Sequence, residues 1–184
     1  MNIAVYGGSF NPMHTGHLEI LKTLDSCPDF DSIYLVVSPK NPLKDIDEST
    51  ARQRLEAVRR AVARHPGLKL RVEDIEFSLP SPQYSIRTLD ELQKREAGNT
   101  FTLVVGGDQI ADFRRWKDYR RILTDYGVAV FPRQGFDTAK IKGDLLEENP
   151  LYKIRLIDMP LVNISSTDLR RALAEGRDIS SFLI

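Results

Sequence analysis

Short runs of apolar residues alternate along this chain with helical patterns, and this alternation restricts the fold more than any other feature. Runs that are rich in β-branched and aromatic residues and are bounded by turn residues predict fully buried parallel strands. Such runs lie at residues 2–6, 32–38, 101–108 and 127–133. The run at 68–77 alternates more and predicts a strand nearer the edge of the sheet. A further short strand is predicted near 152–158.

Helices are predicted between these strands, where apolar residues recur three or four positions apart. The patterns cover residues 16–24, 50–65 and 84–98, and the segment 163–173 begins another amphipathic helix. The region 134–150 lacks clear periodicity and is predicted to form loops. Strand and helix therefore alternate along most of the chain.

This order of elements indicates the fold class. Right-handed βαβ units build a parallel sheet that is covered by helices on both faces. We therefore expect an α/β, Rossmann-like, doubly wound architecture that forms a single domain over residues 1–184. In such a sheet, ligands bind at the carboxyl ends of the strands.

The charge balance and the cysteine content limit the partners and the compartment. The 26 basic and 26 acidic residues cancel, so no overall field favours nucleic acid or an anionic membrane surface. Cys27 is the only cysteine, which fits a reducing compartment. No stretch approaches the roughly 20 apolar residues of a membrane span, and no basic segment precedes the first apolar run. We expect a cytoplasmic protein without nucleic-acid or membrane partners.

The sequence GGSFNPMHTGH at residues 7–17 follows the first predicted strand. Its two glycines let the backbone turn sharply and let a ligand approach closely. It is neither a Walker loop nor a G-x-G-x-x-G fingerprint. His14 and His17, three apart at a helix start, can direct two N–H donors to one anion, with Gly16 leaving room between them. Spacing alone leaves open a turn histidine and a surface histidine without a joint role.

A structural zinc site is disfavoured. Zinc needs three or four ligands, and His65, Cys27 and the scattered acidic residues supply no recognisable ligand spacing.

A second candidate anion site lies near the other end of the chain. Ser165, Ser166 and Thr167 stand just ahead of an amphipathic helix, and Arg170 lies within its first turn or so. Free backbone N–H groups at a helix N-terminus, together with a guanidinium group, suit a phosphate. An ordinary Ser/Thr cap with a solvent arginine is the alternative.

Together these motifs resemble those of the nucleotidylyltransferase superfamily. Its members carry an H-x-G-H element after the first strand, matched here by residues 14–17, and an I-S-S-T-x-x-R element near the C-terminus, matched by residues 164–170. Within the superfamily the chain is most similar to bacterial nicotinate mononucleotide adenylyltransferases, whose G-G-S-F-N-P-x-H-x-G-H-L start is reproduced by residues 7–18.

The resemblance continues inside the chain. The sequence YSIRTL at 84–89 is similar to the family's Y-[ST]-x-x-T-L segment, and the family's G-x-D-x(7)-W block places Gly106, Asp108 and Trp116. The chain departs from the family at 38–44, where many relatives have a Pro-His-Lys arrangement; here Lys44 takes the cationic role.

The resemblance implies that ATP and nicotinate mononucleotide give deamido-NAD and pyrophosphate, with Mg²⁺ accompanying ATP and no metal ligands assigned to the protein. The implied catalytic residues are His14, His17, Lys44 and Arg170. The residues implied to bind ATP are Gly7, Gly8, Ser9, Phe10, His14, His17, Asp108, Ser165, Ser166, Thr167 and Arg170. Those implied to bind the mononucleotide are Ser9, Lys44, Tyr84, Thr88, Asp108 and Trp116.

Within the mononucleotide site, the resemblance implies that Trp116 stacks on the pyridine ring and that backbone N–H groups near Thr88 and Trp116 receive its carboxylate. Within the same reaction class, a nicotinamide mononucleotide or phosphopantetheine adenylyltransferase is the alternative. A non-catalytic ATP-binding regulator and an electron-transfer module on a similar scaffold are alternatives of another class. The sequence leaves a homo-oligomer open. All these assignments require that the two ends of the chain converge on one triphosphate.

Overall fold

The computed structural model describes residues 1–39 and 48–184. In these ranges the strands are β1 (Asn2–Gly8), β2 (Ser32–Val37), β3 (Leu70–Glu73), β4 (Thr100–Gly106), β5 (Val128–Phe131) and β6 (Ile154–Leu156). The α-helices are α1 (Thr15–Ser26), α2 (Glu48–Ala63), α3 (Ser85–Arg95), α4 (Gly107–Ala111), α5 (Tyr119–Arg121), α6 (Thr138–Glu148) and α7 (Ser166–Ala174). Single 3₁₀ turns lie at Ile75–Ser78, Phe113–Arg115 and Ser180–Phe182, and a π-helical turn lies at Ile122–Tyr126.

The six strands form one parallel sheet in the order β3-β2-β1-β4-β5-β6. The order reverses between β1 and β4, so the crevice at their carboxyl ends is the expected ligand site of a doubly wound fold. β3 lies at an edge, which confirms the prediction from its alternating pattern. The α/β class with a parallel sheet is confirmed.

Alternate residues of each strand point to opposite faces, and each face has its own apolar core. On one face, strand residues such as Val5 and Val105 pack with Leu89 and Leu92 of α3. On the other face, helices α1 and α2 cover the sheet, with Leu21 among the fully buried residues. The central strands read as continuous apolar runs because both of their faces are covered.

One prediction about the chain is wrong. Most of the region 134–150 is helical, because α6 occupies Thr138–Glu148. The Asp137 side chain accepts the Lys140 amide at 3.0 Å and caps the helix. Only Leu145 of α6 is fully buried, and Ile141 and Leu146 are partly buried. An apolar stripe this narrow gives little periodicity in the sequence.

The other boundaries agree with the predictions to within a few residues. The segment 68–77, predicted as one strand, contains β3 and then the 3₁₀ turn Ile75–Ser78. The strand predicted near 152–158 is limited to the three residues of β6. Helix α3 ends at Arg95, three residues before Gly98. Across the two ranges that the structure describes, no helix is long and apolar enough to cross a membrane.

Candidate active site

The two ends of the chain meet at the carboxyl end of β1. The Ser166 hydroxyl at the start of α7 donates to the Pro12 carbonyl at 2.9 Å, and the Arg170 guanidinium donates to the Asn11 carbonyl at 2.6 Å. The backbone of His14 also pairs with Leu183 in an isolated antiparallel bridge. The convergence required by the sequence motifs is therefore present in the fold.

His14 and His17 form the N-terminal cap of α1. His14 is the N-cap residue, and its Nδ1 accepts the backbone N–H groups of Gly16 at 3.1 Å and His17 at 3.4 Å. In return, Nδ1 of His17 accepts the His14 N–H at 3.1 Å. A neutral imidazole with an accepting Nδ1 carries its proton on Nε2, so each ring keeps one N–H donor for a ligand.

The electrostatic surroundings keep both rings neutral. Burial, followed by the positive charge of Arg133, lowers the pKa of His14 from 6.5 to about 4. Burial, the neighbouring His14 ring and Arg133 lower the pKa of His17 well below 6.5. Both side chains are therefore uncharged donors at neutral pH.

Gly16 allows the close contact between the two motifs. A Cβ atom at this position would lie 2.6 Å from Cγ1 of Val162 and 2.9 Å from the His14 ring. Real Cβ atoms do not approach other atoms this closely, so a larger residue would displace the Val162 side chain or the His14 ring. The space beside Gly16, predicted to lie between the two histidines, is occupied by the His14 ring and the Val162 side chain.

The buried side chain of Phe10 packs against the His17 ring. The Phe10 backbone is in the left-handed region at φ 47. The ring meets the His17 ring edge-on with centroids 5.0 Å apart, and a Cβ at Gly8 would approach the Phe10 ring to 3.2 Å. The side chain of Phe10, predicted among the ATP-binding residues, thus faces the core and holds His17.

Arg133 lies beside Asp108 and was not among the site residues predicted from the sequence. It follows β5, and its Nη1 donates to the Val162 carbonyl at 3.4 Å, while its Nε lies 3.7 Å from Oδ1 of Asp108. Nε is buried and has no hydrogen-bond partner within the described residues. A charged residue two positions after a buried strand was the available signal in the sequence, because ligands bind at such strand ends.

The hydroxyl groups of the second motif are already engaged within the fold. The Ser165 hydroxyl caps α7 by accepting the Asp168 N–H at 3.1 Å, and Thr167 Oγ1 accepts from Arg170 at 3.1 Å. The backbone N–H groups at the first turn of a helix have no partner inside it. The donors that α7 offers to an anion are thus these amides and the Arg170 guanidinium.

Asp108 begins α4 immediately after the central strand β4, and its carboxylate is half exposed beside Arg133. A Cβ at Gly106 would lie 2.6 Å from the Asp108 carboxylate, so a larger residue there would displace this carboxylate. The predicted position of Asp108 at the end of a central strand is therefore correct. Lys44 lies outside the described residues.

Two adjoining cavities open beside the glycine loop. The inner cavity, of about 230 Å³, is lined by Gly7, Gly8 and Ser9 and by side chains that include Glu76, Gln109 and Trp116. The outer cavity, of about 240 Å³, is lined by Gln83, Tyr84, Ser85, Arg115, Trp116 and Lys117. Ser9, Tyr84 and Trp116 therefore come together, as the mononucleotide site predicted from sequence requires.

The backbone amides of Thr88 and Trp116 themselves already donate hydrogen bonds within the protein. The Thr88 N–H donates to the Tyr84 carbonyl at 3.3 Å, and the Trp116 N–H donates to the Phe113 carbonyl at 2.9 Å. Tyr84 caps α3 without a side-chain hydrogen bond to the helix end, and Ser85, the first residue of α3, lines both cavities. The start of α3, three residues before Thr88, therefore offers the N–H groups near Thr88 that border both cavities.

Comparisons with known proteins agree with this geometry. Residues 5–172 match the cytidylyltransferase-like family. A Flavobacterium johnsoniae protein named probable nicotinate-nucleotide adenylyltransferase is 37% identical over 186 residues, covering 100% of this chain and 92% of the relative. A Bacteroides fragilis protein of the same name is 37% identical over 180 residues, covering 97% and 85%.

The fold also matches a solved structure, the nicotinic acid mononucleotide adenylyltransferase of Plasmodium falciparum complexed with NaAD. The TM-score is 0.82 at 22% identity, over 99% of this chain and 90% of that chain. The resemblance indicated by the motifs is confirmed over the whole length of the sequence given. This chain belongs to the cytidylyltransferase-like family.

Proposed function

We propose that this protein transfers the AMP moiety of ATP to nicotinate mononucleotide, giving deamido-NAD and pyrophosphate. The observation that carries the proposal is the meeting of the histidine pair with the start of α7, through the bonds from Ser166 to Pro12 and from Arg170 to Asn11. Both groups can donate hydrogen bonds to phosphate oxygens, and the glycine loop that leads to His14 lines the same cavity as the Trp116 indole. The relatives named above support the choice of substrates.

The chemistry needs no protein nucleophile. A phosphate oxygen of the mononucleotide attacks the α-phosphorus of ATP in line; the new P–O bond forms as the bond to the β-phosphate oxygen breaks, and pyrophosphate leaves. The attacking oxygen is already anionic, so no base has to remove a proton. Catalysis then consists of positioning and charge stabilisation.

His14 and His17 serve as neutral donors in this scheme. Each presents an Nε2–H while its Nδ1 is held by the backbone of α1. We place His17 nearest the α-phosphate, where charge builds in the transition state. Arg133 supplies the permanent positive charge that the neutral imidazoles lack, since its guanidinium is close enough to lower the pKa of both rings.

The start of α7 holds the β- and γ-phosphates in this proposal. The amides of Ser166 and Thr167, the helix dipole and the Arg170 guanidinium favour negative charge at this end. Lys44 is proposed to serve the same triphosphate. The pyridine ring of the mononucleotide stacks on Trp116, and its carboxylate is received by amides at the start of α3.

Mg²⁺ is proposed to accompany ATP. The part of the chain that the structure describes has no group of three or more His, Cys, Asp or Glu side chains placed to hold a metal. Mg²⁺ commonly binds substrate phosphates and one or two carboxylates while keeping several waters. The half-exposed carboxylate of Asp108 suits that role. When bound, the ion neutralises phosphate charge.

The decisive experiment measures pyrophosphate release from ATP and Mg²⁺ with three acceptors offered separately: nicotinate mononucleotide, nicotinamide mononucleotide and phosphopantetheine. We expect the highest kcat/KM with nicotinate mononucleotide. A clear preference for either other acceptor identifies one of the alternatives of the same reaction class. ATP binding without pyrophosphate release identifies a regulator. The cytoplasmic location stays a prediction.

A further inference from the structure

The inner cavity has one titratable lining side chain among the described residues, that of Glu76. The other lining groups are apolar side chains, hydroxyls, amides, glycines and the indole of Trp116. Glu76 follows β3 in the 3₁₀ turn Ile75–Ser78 and is 9% exposed. A carboxyl group here is unexpected, because this cavity is proposed to take the pyridine end of an acidic substrate.

The Glu76 carboxyl is held in place by two hydroxyl groups from different elements. Thr88 Oγ1 on α3 donates to Oε1 of Glu76 at 2.7 Å. The side chain of Ser38, at the end of β2, also forms a hydrogen bond with the carboxyl. The group is therefore fixed between the sheet and α3, close to the amides proposed to receive the substrate carboxylate.

Burial favours the uncharged form of this group. Desolvation raises the pKa of Glu76 above 4.5, and the hydrogen bonds from Thr88 and Ser38, which act in the opposite direction, offset the rise only in part. The carboxyl is thus protonated over a wider pH range than an exposed glutamate.

Cations lie on the elements around this carboxyl. On α2, Arg54 donates to the Ser38 carbonyl at 3.0 Å, and the Arg52 guanidinium lies 5.7 Å from the centre of the Phe77 ring. Arg115 and Lys117 line the outer cavity. None of these cations is among the causes of the Glu76 pKa shift, which burial dominates.

We propose that Glu76 is a specificity-determining residue of the mononucleotide site: its carboxyl admits the pyridine carboxylate while protonated and repels it once ionised. The inference rests on the proposed function. Two carboxylates in a poorly solvated cavity repel each other, whereas an uncharged carboxamide pays no such penalty. The preference for the acid over the amide mononucleotide therefore falls as the pH rises through the pKa of Glu76.

The test compares kcat/KM for nicotinate and nicotinamide mononucleotide from about pH 5 to about pH 9, the range in which buried glutamates titrate. Both reactions use the same protein and ATP, and both mononucleotides carry the same phosphate. The effects of ATP, phosphate and histidine titration on the two kcat/KM values therefore cancel in their ratio. In the wild-type protein we expect the ratio to fall about threefold to tenfold. In Glu76→Gln, which keeps the shape and removes the ionisation, we expect a constant ratio.

Asp74→Asn is the matched control. It removes a carboxylate two residues from Glu76, but the Asp74 side chain is exposed, pairs with Arg59 and lines neither cavity. It should keep the wild-type profile. Where nicotinamide mononucleotide turns over too slowly, its inhibition constant against nicotinate mononucleotide replaces kcat/KM.

A constant ratio in the wild-type protein overturns the inference without the need for any variant. An unchanged fall in folded Glu76→Gln overturns it as well. Both outcomes leave the proposed function standing, because they require turnover of nicotinate mononucleotide. Lack of that turnover at every pH overturns the proposed function, and this inference with it.

Discussion

The imidazole rings of His14 and His17 stack with their centroids 3.7 Å apart, and Nδ1 of each ring accepts the backbone N–H of the other residue. Helix α1 therefore fixes the tautomer of both rings. A side chain that serves as a helix cap through one nitrogen presents the other to the ligand in a set orientation. Preorganisation of this kind is what a transition state with growing negative charge requires.

Replacement of His17 by Ala should lower kcat about 10²- to 10³-fold, because one preorganised donor to the α-phosphate is lost. Steady-state kinetics with both substrates would measure the effect, and circular dichroism would verify the fold. His65→Ala is the control, since that histidine lies two residues after the end of α2 and lines neither cavity. A folded His17→Ala protein with near-normal kcat would remove His17 from the mechanism.

Arg133→Met should raise the pKa of His14 above its value of about 4, because the guanidinium is one of the two causes that lower it. The same change should reduce kcat, since the permanent positive charge beside the phosphates is removed. NMR titration of the histidine ring protons measures the first effect independently of catalysis. Arg155→Met, at a position on the edge strand β6, should change neither quantity. An unmoved His14 pKa in Arg133→Met would contradict the electrostatic role.

Acid should destabilise the protein partly through His14. The unfolded imidazole titrates near 6.5 and the folded one near 4, so between these values only the unfolded chain binds the proton. The stability that this group contributes is fully present above pH 6.5 and is lost as the pH falls towards 4, a loss on the order of 3 kcal/mol.

Urea unfolding of the wild-type protein and of His14→Asn, at about pH 7 and about pH 4.5, isolates this contribution. Asparagine is a good N-cap residue and does not titrate, so the variant should lose less stability on acidification. Equal losses in the two proteins would show that His14 is protonated as readily in the fold as in the unfolded chain.

Gly16→Ala should weaken ATP binding and destabilise the protein, because the new Cβ would lie 2.6 Å from Cγ1 of Val162. The overlap is with a side-chain methyl group, so the double variant with Val162→Ala should recover part of both losses. Gly143→Ala is the matched control: its Cβ would meet nothing within 4 Å in α6. That change should add about 0.5–1 kcal/mol of stability. Thermal melts and the KM for ATP test these expectations.

Trp116→Ala should raise the KM of both mononucleotides about tenfold while leaving the KM of ATP nearly unchanged, since aromatic stacking on a ring contributes roughly 1–3 kcal/mol. Trp116→Phe should keep part of the affinity. Because the pyridine ring is common to both mononucleotides, Trp116→Ala should not alter the ratio of their kcat/KM values or its pH dependence. Glu76→Gln, in contrast, should abolish the pH dependence of that ratio. Unchanged KM values for both would place the pyridine ring elsewhere.

The sequence predicted the sheet and the two motifs proposed to bind phosphate because these depend on local patterns. Continuous apolar runs indicate strands covered on both faces, and the motif residues lie close together in the chain. Arg133 follows a buried strand, which is visible in the sequence, but its contacts Asp108 and Val162 lie far from it in sequence and meet it only in the fold. The role of Glu76 likewise depends on Thr88, twelve residues later on another element.

Helix α6 was not predicted from the sequence for a different reason. Its sequence has the cap and the i,i+4 pair of Lys140 and Asp144, but Leu145 is its one fully buried side chain. A helix that is largely exposed lacks the broad apolar stripe that periodicity analysis detects.

The bonds from Ser166 to Pro12 and from Arg170 to Asn11 span 154 and 159 positions of the chain. Contacts between such distant segments close a large loop, and we expect them to form late in folding because the entropy cost of closing the loop is high. A molecule whose central strands are complete but whose helix α7 is undocked would show nearly native far-ultraviolet circular dichroism. It would nevertheless lack the groups of α7 that are proposed to bind the β- and γ-phosphates. For this protein, recovery of ATP affinity is therefore a stricter measure of refolding than recovery of secondary structure.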